Sequence, residues 1–305
     1  MTPRRNTGAR PGGHRFGGDW TTEKLDLIAR YLAAYTTALK GTSFRKGYID
    51  AFAGSGYRDS SNTDTFEGPG QALLFPDLGA EAPQALLEGS ARRALEITPR
   101  FDHYVFIERS PSRCRDLESL RSEFPDRASD IQIVQGDANL EIKRLCDRDW
   151  ARHRAVLFLD PYGMQVEWNT LQAVAGTKAI DVWILFPLIG VNRVLTRTGE
   201  IPSAWRHRLD VLLGTTEWYK EVYRVEHTSG LFGDLERTMK GTTDAIGQLF
   251  NQRLAGLFAG VAKQPRVLRN SVNAPLYLLC FAVGNPRGAS VALRIANHLL
   301  AKVGT

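Results

Sequence analysis

The chain has 305 residues, with 39 Lys and Arg against 33 Asp and Glu for a formal charge of +6, and 43% of its residues are hydrophobic. That balance excludes a wholly disordered or fibrous polymer, and the length suits one large α/β domain or two modest ones. The positive charge sits at the ends: residues 1–18 carry Arg4, Arg5, Arg10 and Arg15 with no acid, and no Asp or Glu follows Asp244. The stretch between is net acidic, which separates any phosphate-binding role of the ends from the chemistry of the body.

Residues 1–18, rich in Arg, Gly and Pro, are expected to be a disordered basic arm ahead of a single domain over 19–305. Leu25, Ile28, Leu32, Tyr35 and Leu39 then recur on one helical face, with Thr21 or Thr22 as cap and Gly41 as stop. Tyr48–Phe52 is predicted as a buried strand entering the glycine turn Gly54-Ser55-Gly56. An insertion follows at about 57–88, in which Pro69, Pro76 and Pro83 exclude one long helix and Gln71–Phe75 suits a short one. A helix is expected over Ser90–Ile97 and a strand over Tyr104–Glu108. Next come a helix over 111–124, a strand over Ile131–Val134, a helix over 139–148 and a strand over Ala155–Leu159. A helix over 167–175 and a strand over Asp181–Phe186 complete the alternation. Residues 190–260 read as a mostly helical insertion, strands near 266–272 and 276–283 as a pair, and 288–302 as a closing helix. The rhythm implies α/β architecture: a mainly parallel sheet with helices on both faces.

Cys114, Cys146 and Cys280 are isolated, with no CxxC and no metal-ligand spacing, so a reducing cytoplasm is the expected compartment and no metal is expected. The longest uninterrupted apolar run, Leu276–Val283, is far short of the roughly 20 residues a membrane span needs. His103, His153, His207 and His227 lack a paired acid and are read as structural or surface residues, and Trp168 and Trp183 as core. Gly54-Ser55-Gly56 is not a G-x-S-x-G nucleophile elbow, which argues against hydrolase chemistry.

Four successive predicted strands end in acids or glycines: Asp50 through Gly56, Glu108, Gly136-Asp137-Ala138, and Asp160-Pro161-Tyr162-Gly163. In an open parallel sheet such loops converge on one crevice at the carboxyl edge. Gly54 and Gly56 allow close backbone approach to a ligand. Glu108 is placed to accept hydrogen bonds from ribose hydroxyls, Asp137 from an adenine amino group, and Asp160 faces the reacting end.

In this order the motifs resemble those of Rossmann-like S-adenosylmethionine-dependent methyltransferases. Phe52-Ala53-Gly54-Ser55-Gly56 looks like the motif at the methionine part of that cofactor. Asp160-Pro161-Tyr162-Gly163 looks like the D-P-P-Y motif of amino-group methyltransferases, lacks its second proline, and is closer to the D-P-F-G motif of transfer-RNA guanine-N2 methyltransferases. Over nearly the whole chain, the Tyr31-Leu32 helix, Tyr48–Gly54, Phe106-Ile107-Glu108, Gly136-Asp137-Ala138, Phe158–Gly163 and the closing strand–helix resemble the three-Cys-motif partner family. That resemblance implies a methyltransferase-type fold that takes S-adenosylmethionine, with a radical-SAM-like protein bearing a three-cysteine motif as partner. The D-P-P-Y and D-P-F-G likeness implies N-methylation of a nucleobase or related amino group, with Asp160, Pro161 and Tyr162 at the chemistry. The alternative is an accessory role beside the partner. A nucleic-acid substrate would be held by Arg266, Arg269, Arg287 and the N-terminal arm.

Overall fold

A computed structural model of the chain describes residues 19–54, 89–230, 233–241 and 244–301. The basic arm, the short helix expected at Gln71–Phe75, the insertion at 57–88, and Ser55 and Gly56 lie outside them.

Helix α1 (Asp19–Ala38) leads to strand β1 (Arg45–Asp50). After the insertion come α2 (Ser90–Glu96), β2 (His103–Glu108), α3 (Pro111–Glu123), β3 (Ile131–Gln135), α4 (Ala138–Cys146), β4 (His153–Leu159), α5 (Trp168–Gly176) and β5 (Ile180–Phe186). Helices α6 (Leu188–Val194), α7 (Ser203–Leu213) and α8 (Trp218–Val222) follow, then a hairpin of β6 (Tyr223–Gly230) and β7 (Gly233–Lys240), and α9 (Ala245–Ala255). The chain closes with β8 (Gly260–Val261), β9 (Arg266–Arg269), β10 (Pro275–Val283) and α10 (Ala289–Ala301).

The main sheet runs β3-β2-β1-β4-β5-β10, with β8 and β9 both paired to β10. The first five strands are mutually parallel and β10 is antiparallel to β5. This is the Rossmann-like methyltransferase arrangement, a mainly parallel α/β sheet with an antiparallel strand beside β5. Strand order reverses between β1 and β4, so the crevice there is where such sheets bind ligands.

Every residue of β5 is buried, as a central parallel strand covered on both faces requires. Its Trp183 and Leu185 point to one face with Tyr48, Phe106, Phe158, Leu279 and Phe281, beneath α1, α2, α3 and α10. Val182, Ile184 and Phe186 point to the other with Leu157, Leu159 and Cys280, beneath α4 through α9. The period of two along each strand thus fills two cores at once. Trp168 and Trp183 are both core, as read from the sequence.

Helix α1 crosses its face antiparallel to the strands. Its first turn lies at the carboxyl edge, and Tyr31 further along packs edge-on to Trp183 at 5.3 Å between ring centroids. The Tyr31 hydroxyl donates to Asp181 Oδ2 at 2.9 Å, near the start of β5, while the Gly284 N–H donates to Oδ1 at 3.0 Å. Burial pushes the Asp181 carboxyl up to about 6, although these donors favour its charged form. Between the unfolded value near 3.8 and about 6, the folded state therefore holds the extra proton. Asp181 thus costs stability above pH 6, and that cost is relieved as pH falls toward 4. Asp181→Asn should flatten the wild-type gain between pH 7 and pH 5 by about 1 kcal/mol, read as urea midpoints at the two pH values.

Three sequence expectations need correction. Helix α1 starts at Asp19, so Thr21 and Thr22 lie inside its first turn and are not caps. β1 spans Arg45–Asp50 rather than Tyr48–Phe52, because Arg45, Lys46 and Gly47 pair with His153, Arg154 and Ala155 of β4 and the chain turns from Ala51. The insertion after β5 is helical as expected but also carries the β6–β7 hairpin, whose mainly polar strands lack the apolar alternation that announces a half-buried strand.

Candidate active site

The sheet order places the four strand-end groups in one row along the carboxyl edge: Asp137 after β3, Glu108 on β2, Asp50 on β1 and Asp160 after β4. Three interstrand steps of about 4.8 Å make that row roughly 14 Å long. Short backbone hydrogen bonds hold the tips in register, from Ala51 N to Phe158 O and from Ala53 N to Ile107 O at 3.1 Å each, and from Gly136 N to Glu108 O at 3.0 Å.

Glu108 is 6% exposed and its Oε1 accepts from Ser110 N at 2.7 Å. Its other oxygen faces the glycine turn: a Cβ on Gly54 would lie 2.7 Å from Glu108 Oε2 and 3.0 Å from the Arg113 side chain. The turn and the acid therefore form one narrow cradle that only glycine leaves open, and these residues fit the ribose and methionine portions of S-adenosylmethionine. Gly54→Val should push the Glu108 carboxylate aside. The expected result is a stability lowered by about 1–3 kcal/mol in urea, with S-adenosylhomocysteine affinity of the folded protein lowered about 10-fold or more by calorimetry.

Asp137 is exposed and caps α4, its Oδ1 accepting from Leu140 N at 3.1 Å. Ala138 is buried beneath it, while Leu140 remains 54% exposed beside it, an apolar surface at the rim. Arg208 of α7 feels the charges of Asp137 and Glu167; burial lowers its guanidinium below the usual range and those acids oppose the shift. The helical insertion thus reaches the β3 end of the row.

Asp50 is fully buried. Burial raises its carboxyl to about 6, opposed by the Ser90 hydroxyl, raised further by the charge of Asp160, and opposed by Phe52 N and the Tyr48 hydroxyl. Its Oδ1 accepts from Phe52 N at 3.4 Å and its Oδ2 from Tyr48 at 3.3 Å. Asp50 therefore shapes the turn from inside the protein, and the half-buried Phe52 and buried Ala53 form its wall.

Asp160 pairs with Lys24 of α1, a contact that sequence reasoning missed. Lys24 is 1% exposed, whereas the Asp160 side chain is 15% exposed. The Trp20 ring lies 5.1 Å from the Lys24 ammonium and stacks on Tyr277 at 5.4 Å. Burial raises the Tyr277 hydroxyl well above its usual value, with the charges of Asp160 and Tyr162 adding to the shift. The β4 end of the row thus gathers Lys24, Trp20, Tyr277 and the Asp160-Pro161-Tyr162 turn. Pro161 is buried and Tyr162 half-buried, and Gly163 closes the turn at φ +72°, a backbone that favours glycine. The signal for Lys24 was a lysine on the same helical stripe as Ile28, Tyr31 and Tyr35.

Asn139 also escaped notice. Its Oδ1 accepts from Glu167 N at 3.0 Å and the Thr170 hydroxyl at 2.9 Å, and its Nδ2 donates to Gln165 O at 3.0 Å. A buried amide with this many partners ties α4 to the segment after the Asp160 turn. The thiols offer no nucleophile here: Cys114 and Cys280 are buried, and burial pushes Cys146 up to about 12.

The three basic residues singled out do not form one patch. Arg266 is engaged with Glu23 of α1, through Nε and Nη2 at 2.7 Å each, which fastens the start of that helix to β9. Arg269 is exposed near the carboxyl edge, with its Nη1 on Asn273 O at 2.9 Å. Arg287 is exposed beyond the end of β10, which is antiparallel to β5, and so lies at the opposite edge of the sheet. Among the described residues, no helix is long and apolar enough to cross a membrane.

No family model matches the chain, and no curated protein matches it. The likeness to the three-Cys-motif partner family therefore rests on motifs alone. Solved structures do match. The Legionella pneumophila protein LPL1258, of the family model DUF519, is 14% identical over 93% of this chain and 92% of its own, with a TM-score of 0.43. Spermidine synthase from Thermotoga maritima is 9% identical over 94% of this chain and 72% of its own, at 0.39. The O-methyltransferase TomG from Streptomyces achromogenes, solved with SAM, is 14% identical over 74% and 91%, at 0.32. Likeness this distant carries no functional weight, and the fold assignment stands on the strand order itself.

Proposed function

We propose that the protein is an S-adenosylmethionine-dependent methyltransferase acting on an amino group of a nucleobase or related substrate. The observation that carries this reading is the row Asp137–Glu108–Asp50–Asp160 at the switch point, with Gly54 held against Glu108. The likeness of Asp160-Pro161-Tyr162-Gly163 to the motifs of amino-group methyltransferases points the same way.

In this reading Glu108 accepts from the ribose hydroxyls, Asp137 and Ala138 border the adenine, and Phe52 through Gly56 border the methionine chain. When bound, S-adenosylmethionine supplies a methyl group on a sulfonium sulfur. An amino group on a heteroaromatic ring is a poor nucleophile because its lone pair is delocalised. Asp160 and the Pro161 carbonyl accept its N–H bonds, which localises the lone pair and aims it. The Asp160 carboxylate also stabilises the positive charge developing on nitrogen. Tyr162 stacks on the ring, worth about 1–3 kcal/mol for a base on an aromatic side chain. A base within a duplex must be flipped out to arrive there. Arg269 and the N-terminal arm are the proposed phosphate contacts.

The test is transfer of a labelled methyl group from S-adenosylmethionine to nucleosides and to bulk nucleic acid. Wild type should label an amino-bearing base. Asp160→Asn should lose transfer while still binding S-adenosylhomocysteine. Binding without transfer to any acceptor, even beside a three-cysteine-motif protein, would overturn the catalytic reading and favour the accessory role.

A further inference from the structure

We propose that Lys24 is a specificity-determining residue that makes the site select neutral amino-heteroaromatic rings and reject cationic aliphatic amines. This rests on the methyltransferase reading above and names the substrate class of the same site. The observation is the buried Lys24–Asp160 pair itself.

An acidic group placed to capture a protonated amine needs uncompensated negative charge. Here Asp160 is matched by an ammonium that is 1% exposed and faced by the Trp20 ring. A second cation arriving at Asp160 meets Lys24 as a like charge in a site largely shielded from water, where screening is weak. A carboxylate offers about four acceptor positions on two oxygens, and Lys24 lies on Oδ2, so pairing with Lys24 and accepting an N–H bond are compatible. The Lys24 side chain is only 2% exposed, so its ammonium compensates the carboxylate from inside the protein and Asp160 is the group a ligand meets. Its complement is a neutral amino donor on a flat ring, as in adenine, cytosine or a related heterocycle. The half-buried rings of Trp20 and Tyr162 suit such a ring.

The anchoring of α1 supports the same role. Arg266 clamps Glu23 next to Lys24, and Trp20 stacks on Tyr277, so the ammonium is held from an anchored start of the helix. Such preorganisation keeps the compensating charge fixed beside Asp160.

The experiment uses the full chain with saturating S-adenosylhomocysteine and 2-aminopurine riboside as a fluorescent probe, read by anisotropy. Adenosine and cytidine should displace the probe. Spermidine and purine riboside, which lacks the amino group, should do so about 10-fold less well or worse. Lys24→Met should narrow the margin against spermidine about 10-fold, while Lys24→Arg, which keeps the compensating charge, should largely restore it. The wild-type competition needs no variant, so misfolding of Lys24→Met leaves the test intact. If S-adenosylhomocysteine binds but spermidine competes as well as adenosine, or the probe does not bind, this inference is overturned while the cofactor reading stands. If S-adenosylhomocysteine itself does not bind, both fall.

Discussion

Asp160→Ala should destabilise the protein by about 3 kcal/mol or more, an unusual expectation for a residue placed at the chemistry. The reason is Lys24, whose ammonium is 1% exposed and would be left without the carboxylate it contacts. Removing one member of a buried pair costs far more than the pair contributes, because the survivor retains its desolvation penalty. Part of the loss is offset at Asp50, since the charge of Asp160 helps hold that carboxyl up near 6. Lys24→Met should cost less, because the Asp160 side chain is 15% exposed and hydrates more readily. The double variant Lys24→Met/Asp160→Ala should recover most of the loss in urea unfolding. A single Asp160→Ala variant as stable as wild type would show that the pair is not held as described. Asp160→Asn keeps an oxygen acceptor for Lys24 but not the charge, so its stability should fall less than that of Asp160→Ala, and its transfer assay is read beside its urea midpoint.

The second large effect is expected at Glu108. Glu108→Gln keeps an oxygen for the Ser110 N–H but turns a donor toward the ribose hydroxyls. Charge-assisted hydrogen bonds are worth about 1.5–3 kcal/mol each, so losing acceptance by the carboxylate should weaken S-adenosylhomocysteine binding about 30-fold or more. Stability should barely change, because the 2.7 Å bond from Ser110 N survives. An unchanged dissociation constant would mean that the row of strand ends is not a nucleoside site.

Most of the scaffold was legible because its strands are buried on both faces. Tyr104–Glu108, Ala155–Leu159 and Asp181–Phe186 read as nearly continuous apolar runs, and the first two end at the groups they position, Glu108 and Asp160. The acids and glycines stood out because nothing in a core needs them at a strand end. What stayed hidden depends on contacts between residues far apart in the chain. Lys24 and Asp160 are 136 positions apart, and no local pattern joins them. Trp20 and Tyr277 meet only because β10 returns beside β5. The basic tally at the C-terminal end concealed two different locations, with Arg266 spent on Glu23 and Arg287 at the far edge of the sheet. The hairpin was hidden for the opposite reason: β6 and β7 pair along eight registered positions, but their side-chain sequence is mainly polar.

Calorimetric titration of the full chain with S-adenosylhomocysteine, run in parallel on wild type and Glu108→Gln, tests the central claim most directly. The row of strand ends predicts saturable binding to one site in wild type and a marked weakening in the variant at equal stability. Folded wild-type protein that takes up no S-adenosylhomocysteine would contradict it.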